Sequence, residues 1–344
     1  MKVLATLGHA DGTGSIVEVD LVHADLRTVV SYLPPPELHV PDKGLTGAAW
    51  LGAPGQSDLV VCSFNALHRF GGPLLRHLAT LHRPDMNDLH GVCCDGERMF
   101  VANTGFDAID VYDLAGSFVG GYRCEPSWLS AERWAGRTPS REDHARLLRS
   151  GWTSGSTSFP DDPPTGTYYQ GPAAAPFHRR KLRDYVHPNH VALVGDQVLV
   201  TRLADRRVVD VARFRVVLEA PAPPHDGVLD GDRFWITCVD GRVLAYEVAG
   251  GRVTARVAAQ VDVSKISGCY GWCRGLLVTE ELVVVGFTAI RREPRYFWRD
   301  RDFADTTTAV VALDKTTLSM RARMTISQDY RAPGNLFSIV RRHD

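Results

Sequence analysis

The sequence predicts an all-β protein, a six-bladed β-propeller with four-stranded blades, and three observations lead there. Short apolar runs rich in Val, Leu and aromatic residues alternate with Gly/Asp turns along most of the 344 residues. The helices that a parallel α/β sheet needs between its strands are missing from the pattern. One phrase is also written three times, as His90-Gly-Val-Cys-Cys-Asp-Gly96, His190-Val-Ala-Leu-Val-Gly-Asp196 and His225-Asp-Gly-Val-Leu-Asp-Gly231. Each copy is a histidine, a short apolar run and a Gly/Asp turn, followed by a strongly apolar strand. Self-similarity of this kind marks a repeat fold, and it predicts that the three histidines occupy equivalent places in three blades and meet near the axis.

With the phrase as the start of a blade, the other strands fall into fours. The chain begins in mid-blade: Met1 to Gly8, Gly14 to Leu21 and Arg27 to Leu33 are strands B, C and D of a first blade without its inner strand A. The second blade runs Gly47 to Gly52, Asp58 to Asn65, Ala66 to Phe70 and Leu74 to His82. The third runs His90 to Cys94, Arg98 to Asn103, Ala108 to Leu114 and Ser117 to Cys124. The fourth runs His190 to Val194, Gln197 to Leu203, Arg207 to Ala212 and Phe214 to Ala220. The fifth runs His225 to Leu229, Arg233 to Val239, Arg242 to Val248 and Val253 to Val263. The sixth runs Arg274 to Thr279, Glu281 to Ile290, Thr307 to Leu313 and Ser319 to Ile326. The remaining apolar run, Asn335 to Val340, supplies the missing inner strand of blade one and closes the ring by pairing the two ends of the chain. A seventh blade would have to hide in 121–186, which lacks alternating apolar runs. One helix is expected, Ser140 to Arg149, opened by a capping box of Ser140 and Asp143.

Residues 1–344 read as a single domain with insertions at 121–186 and 291–305. The first is rich in Pro, Ser, Gly and large aromatics (Trp128, Trp134, Trp152, Tyr168, Tyr169), and the second centres on Tyr296-Phe297-Trp298. One connects strand D to the next strand A and the other connects B to C, so both stand over the face from which the inner strands start. They read as a lid over the axis or as a contact through which the protein forms a homo-oligomer.

Lys and Arg number 39 against 40 Asp and Glu, so no global field is present to hold nucleic acid or an anionic membrane, and neither is expected as a partner. No stretch is long and apolar enough to cross a membrane or to serve as a signal-peptide core, which predicts a cytoplasmic protein. The seven cysteines form no repeated CxxC pair and read as small core hydrophobes.

Three imidazoles converging on one volume disfavour one another's protonation, and three neutral imidazoles are the ligand set of a catalytic metal site. His90, His190 and His225 are therefore candidate ligands of a divalent transition metal, with Zn, Fe, Mn and Cu all compatible. His187, in the loop entering blade four, is a fourth candidate. Arg274 occupies the corresponding place in blade six and suits a carboxylate or other oxyanion on the substrate. Asn103, Arg202 and Asp240, at the ends of strands B on the same face, are candidates beside the histidines. The expected function is a metalloenzyme acting on a small anionic organic molecule, its reaction class open among lyase, hydrolase, isomerase and oxygenase. Metal-free acid–base catalysis by the histidines and Arg274 is one alternative, and a propeller that binds a protein partner through its aromatic insertions is another.

The run Leu89-His90-Gly-Val-Cys-Cys-Asp-Gly-Glu-Arg-Met-Phe-Val-Ala-Asn103-Thr-Gly-Phe-Asp-Ala-Ile109 resembles the repeats of NHL-type and gluconolactonase-like six-bladed propellers and of the streptogramin lyase group. That resemblance extends over most of the blades and implies architecture rather than reaction. Gluconolactonase-like enzymes hold an axial metal with carboxylates and amides, whereas this chain offers histidines, in which it is similar to the carotenoid-cleaving oxygenases without their other motifs.

Overall fold

A computed structural model describes residues 1–52, 57–124, 184–213, 215–290, 306–326 and 334–342. Blade one consists of β1 (Lys2–Gly8), β2 (Gly14–Asp20), β3 (Asp25–Tyr32) and β24 (Asn335–Arg341), in the order β24-β1-β2-β3. Blade two has β4 (Ala48–Trp50), β5 (Leu59–Cys62), β6 (Ala66–Gly71) and β7 (Arg76–His82). Blade three has β8 (Leu89–Cys94), β9 (Arg98–Asn103), β10 (Ala108–Asp113) and β11 (Phe118–Arg123). Blade four has β12 (Pro188–Val194), β13 (Gln197–Arg202), β14 (Arg207–Asp210) and β15 (Arg215–Glu219). Blade five has β16 (Pro224–Asp230), β17 (Arg233–Cys238), β18 (Arg242–Ala249) and β19 (Arg252–Asp262). Blade six has β20 (Trp272–Val278), β21 (Leu282–Thr288), β22 (Ala309–Asp314) and β23 (Met320–Thr325). Every pairing is antiparallel. The ring closes as the sequence predicts, with β24 against β1 from Val3↔Arg341 to Gly8↔Asn335.

Alternation within the strands sends apolar side chains to both faces of each blade, so the core is divided among the joints between blades. Each joint holds one cluster of buried apolar residues. Leu4, Leu59 and Phe70 fill the joint between blades one and two, and Cys62, Leu89 and Tyr112 that between two and three. Phe100, Val191 and Val209 join three to four, and Leu199, Phe234 and Tyr246 join four to five. Trp235, Val283 and Phe287 lie between five and six, and Val3, Val284 and Leu336 between six and one. All seven cysteines are free thiols. Five of them are buried with the apolar residues, as expected of small core hydrophobes, and burial pushes the Cys238 thiol up to about 12.

Near the axis the inner strands approach so closely that side chains are excluded. A Cβ on Gly47 would lie 2.4 Å from the His90 carbonyl oxygen, and one on Gly91 2.7 Å from that of Asn189. Threonines, most of them on or just after strands B, tie blades to the inner strands of their neighbours there. Thr6 donates to the Thr46 carbonyl, Thr46 to that of Leu89 at 2.7 Å, and Thr104 to that of Pro188 at 2.5 Å. Thr201 donates to the His225 carbonyl at 2.7 Å and Thr288 to that of Leu336 at 2.6 Å. At the joint of blades five and six the backbone does the same work, the Cys273 N–H reaching the Val239 carbonyl at 3.1 Å.

Among the described residues the structure adds one short α-helix, α1 (Val263–Ser267), where the sequence reading carried the fifth blade's last strand to Val263. Asp262 caps it by accepting from the Lys265 N–H, and Gly268 ends it at φ 66°. The expected helix Ser140 to Arg149, the aromatics of the first insertion and the whole of 291–305 lie outside the described residues.

Two outcomes follow for stability. Deleting residues 334–344 removes β24, bares the edge of β1 and half of the joint with blade six, and should abolish the cooperative thermal transition; a truncated protein that melts like the intact one would refute this closure. Thr201→Val keeps the shape but strands the buried His225 carbonyl, and should cost about 1–3 kcal/mol in chemical denaturation.

Candidate functional site

The residues at the axis are placed there by β-bulges. In five blades the pairing of the inner strand with its strand B is interrupted once, between Leu89 and Val92 in β8, Pro188 and His190 in β12, Pro224 and Gly227 in β16, and Arg274 and Leu276 in β20. In β24 the interruption is at Phe337, between the partners of Thr6 and Leu7. An extra residue bends the strand and re-aims its side chains, which is how five of six blades deliver polar or aromatic groups to one volume.

Register corrects the expected equivalence of the three histidines. Leu89, Pro188 and Pro224 each pair with the last residue of the neighbouring strand, Asn103, Arg202 and Cys238 respectively. The next residues, His90, Asn189 and His225, are therefore equivalent, and His190 lies one place further on, level with Gly91 and Asp226. A signal for this is present in the sequence: strand B starts eight residues after His90 and His225 but seven after His190.

Asn189 and His90 accordingly meet across the joint of blades three and four, with Asn189 Oδ1 2.9 Å from His90 Nδ1 and Asn189 Nδ2 donating to the Pro224 carbonyl at 3.2 Å. His90 Nε2 is 3.5 Å from Asp88 Oδ1, which itself receives Lys43 Nζ at 2.8 Å. His187 stands edge-on to His90, ring centroids 4.9 Å apart. Asp184 engages its Nδ1, and its backbone is held at φ 51°. What fixes this loop is Asp107, whose carboxylate accepts the N–H groups of Tyr185, Val186 and His187 at 2.6, 3.0 and 3.0 Å. That contact joins the B-to-C connection of blade three to the entry of blade four, so the two kinds of connection do share a face.

His225 stacks on His90 at 6.4 Å between centroids. Its Nδ1 lies 3.2 Å from Asp226 Oδ2, and that oxygen also receives the Thr237 hydroxyl at 2.7 Å. Burial holds the imidazoles of both His190 and His225 below the usual histidine range, against the opposing pull of Asp226. Burial alone would raise Asp226, but His225, His190 and the Thr237 hydroxyl together keep it a carboxylate below the ordinary range. Arg274 faces His225 from blade six. Its guanidinium carbon lies over two rings, 4.4 Å from the centroid of Trp272 and 4.6 Å from that of Phe337.

Of the remaining expected site residues, Asn103, Arg202 and Asp240 have partners of their own. Fully buried Asn103 donates to the Asp85 carbonyl at 2.6 Å and to Asp110 at 2.7 Å. Arg202 pairs with buried Asp205 and donates to the Cys124 carbonyl at 2.8 Å. Asp240 accepts from Arg242 Nε at 2.8 Å. Ion pairs two or three residues apart close with little loss of chain entropy, and here they bind the ends of strands B to their own turns.

Among the described residues no group of three or more His, Cys, Asp or Glu side chains is placed to hold an ion. His90 and His225 present faces to each other, 26° from parallel, whereas ligands point their nitrogens at a shared ion. Histidines elsewhere serve the core: His68 sits between Ser63 and Thr80, and burial pushes it down to about 3.

No family model matches the chain, and no curated protein matches it. Among solved structures it is similar to a protein of unknown function from Bacteroides caccae, with 10% identity, a TM-score of 0.56 and 98% of each chain covered. It is also similar to apo AztD from Citrobacter koseri, with 10% identity, a TM-score of 0.48 and 98% of each chain covered. Likeness at this identity shows the fold alone. No helix among the described residues is long and apolar enough to cross a membrane.

Because the folded protein resists protonation of His190 and His225 more than the unfolded chain does, the unfolded state gains protons first as pH falls below about 6.5. Stability should therefore fall from pH 7 towards pH 5. His190→Asn should flatten that slope, read from melting temperatures across the range; an unchanged slope would remove His190 from the buried cluster.

Proposed function

We propose that the axial cluster binds and transforms a small organic anion by metal-free acid–base catalysis. The observation that carries this reading is Arg274, whose guanidinium lies over the rings of Trp272 and Phe337 and whose charge acts on His225 of an imidazole–carboxylate pair. A guanidinium binds a carboxylate through two parallel hydrogen bonds. His225 supplies the proton chemistry. Asp226 beside its Nδ1 favours the tautomer protonated there, so Nε2 carries the lone pair, and Thr237 fixes Asp226 in turn. Asn189 and His90 complete the wall on the side of blades three and four.

Small carboxylates such as acetate, succinate and citrate are the first probes. Arg274→Gln should weaken their binding about 10- to 100-fold in calorimetry, since a hydrogen bond to a charged group contributes about 1.5–3 kcal/mol. Unchanged affinity would sink the anion reading. Protein purified without chelator should hold less than one equivalent of metal and keep its melting temperature in EDTA. One equivalent retained by the wild type and lost in His90→Ala would replace this reading with the metal one.

A further inference from the structure

We propose that the anion held by Arg274 is an aromatic monocarboxylate, its carboxylate on the guanidinium and its ring against Phe337 and Trp272. This rests on the anion reading of Arg274. The blades divide the axis into two halves. Blades six, one and two bring Trp272, Phe337 and Gly47, and blades three, four and five bring His90, Asn189 and His225. Gly47 leads into β4 and leaves blade two without a side chain at this level, because a Cβ there would lie 2.4 Å from the His90 carbonyl oxygen. Phe337 of blade one meets groups from blades on both sides of it. The Arg274 guanidinium carbon is 4.6 Å from its centroid, and the His90 ring stands 5.9 Å away, tilted by 66°.

Burial separates the roles. Arg274 and His225 are 6% and 4% exposed, whereas Phe337 and Trp272 keep part of their surface open. Half-buried aromatic side chains beside a buried cation suit a ligand with one charged head and an apolar body. A carboxylate joined to a guanidinium by two hydrogen bonds has its carbon about 4 Å from the guanidinium carbon. That is the range of the two ring centroids, so the group attached to the carboxylate begins within reach of those rings. An aromatic group there gains stacked or edge contacts beyond the area it buries. A second carboxylate on the ligand would meet the acids of the other half. Asp226, although burial opposes it, is kept a carboxylate by His225, His190 and Thr237, and Asp88 lies 3.5 Å from His90 Nε2. Like charges in so dry a place repel, and one anionic head is what the axis accepts.

The test is calorimetric titration of the wild type with benzoate, cyclohexanecarboxylate, acetate and succinate. Benzoate should bind about 3- to 10-fold more tightly than cyclohexanecarboxylate, which has the same bulk without the ring electrons. Acetate and succinate should be weaker still. Phe337→Leu and Trp272→Leu keep apolar bulk and remove a ring, so each should shrink the ratio of benzoate to cyclohexanecarboxylate affinity, whereas Arg274→Gln should weaken every member. In the wild type, saturation of aromatic protein protons should transfer to the benzoate ring, a readout that needs no variant to fold. Equal affinities for benzoate and cyclohexanecarboxylate, or succinate binding best, would overturn the aromatic monocarboxylate and leave the anion site standing. Failure of every member to bind would overturn the anion site itself, and this inference with it.

Discussion

Crowding at the axis is the constraint on which the rest of this propeller depends. Six inner strands share so narrow a centre that Gly47 and Gly91 have no room for a β-carbon, and hydroxyls or backbone N–H groups must satisfy the carbonyls that face the next blade. A regular strand in such a place would point alternate side chains into its neighbours. The bulges relieve this by one residue of slack per strand, and the slack is what leaves His90, Asn189, His225, Arg274 and Phe337 directed at a common volume.

Electrostatics follow from the same crowding. Arg274 and the imidazoles lie together where water is largely excluded, and like charges there repel strongly. The cluster persists because Asp226 sits within it and because the histidines near it stay neutral. The rings of Trp272 and Phe337 take the place of hydration around the Arg274 guanidinium without neutralising it.

Much of the fold was legible in the sequence because alternation and turn chemistry are local. The four-strand rhythm, the blade count and the closure of β24 on β1 all follow from runs such as Arg233 to Cys238 bounded by Gly/Asp turns. The site was legible only in part. His90, His225 and Arg274 were visible as residues, but a bulge changes register without changing composition, so the shift of His190 was hidden in a hairpin one residue short. Asp226 stands inside the repeated phrase, and nothing in the sequence shows that its carboxylate meets an imidazole. Phe337 and Trp272 could not be foreseen as a clamp, since they come from strands far apart in the chain. Arg202 and Asp240 were drawn away by acidic or basic neighbours two or three residues on.

Closure by β24 also sets an order of events during synthesis. Of the 24 described strands it is made last, yet it belongs to the first blade. Until residues 335–341 leave the ribosome, blade one is a three-stranded sheet with the β1 edge bare and with Val3, Ala5 and Leu7 lacking their partners from β24. The nascent chain must carry that sticky edge through the synthesis of blades two to six, and the axial site, which needs Phe337 near Arg274, comes into being only when β24 arrives.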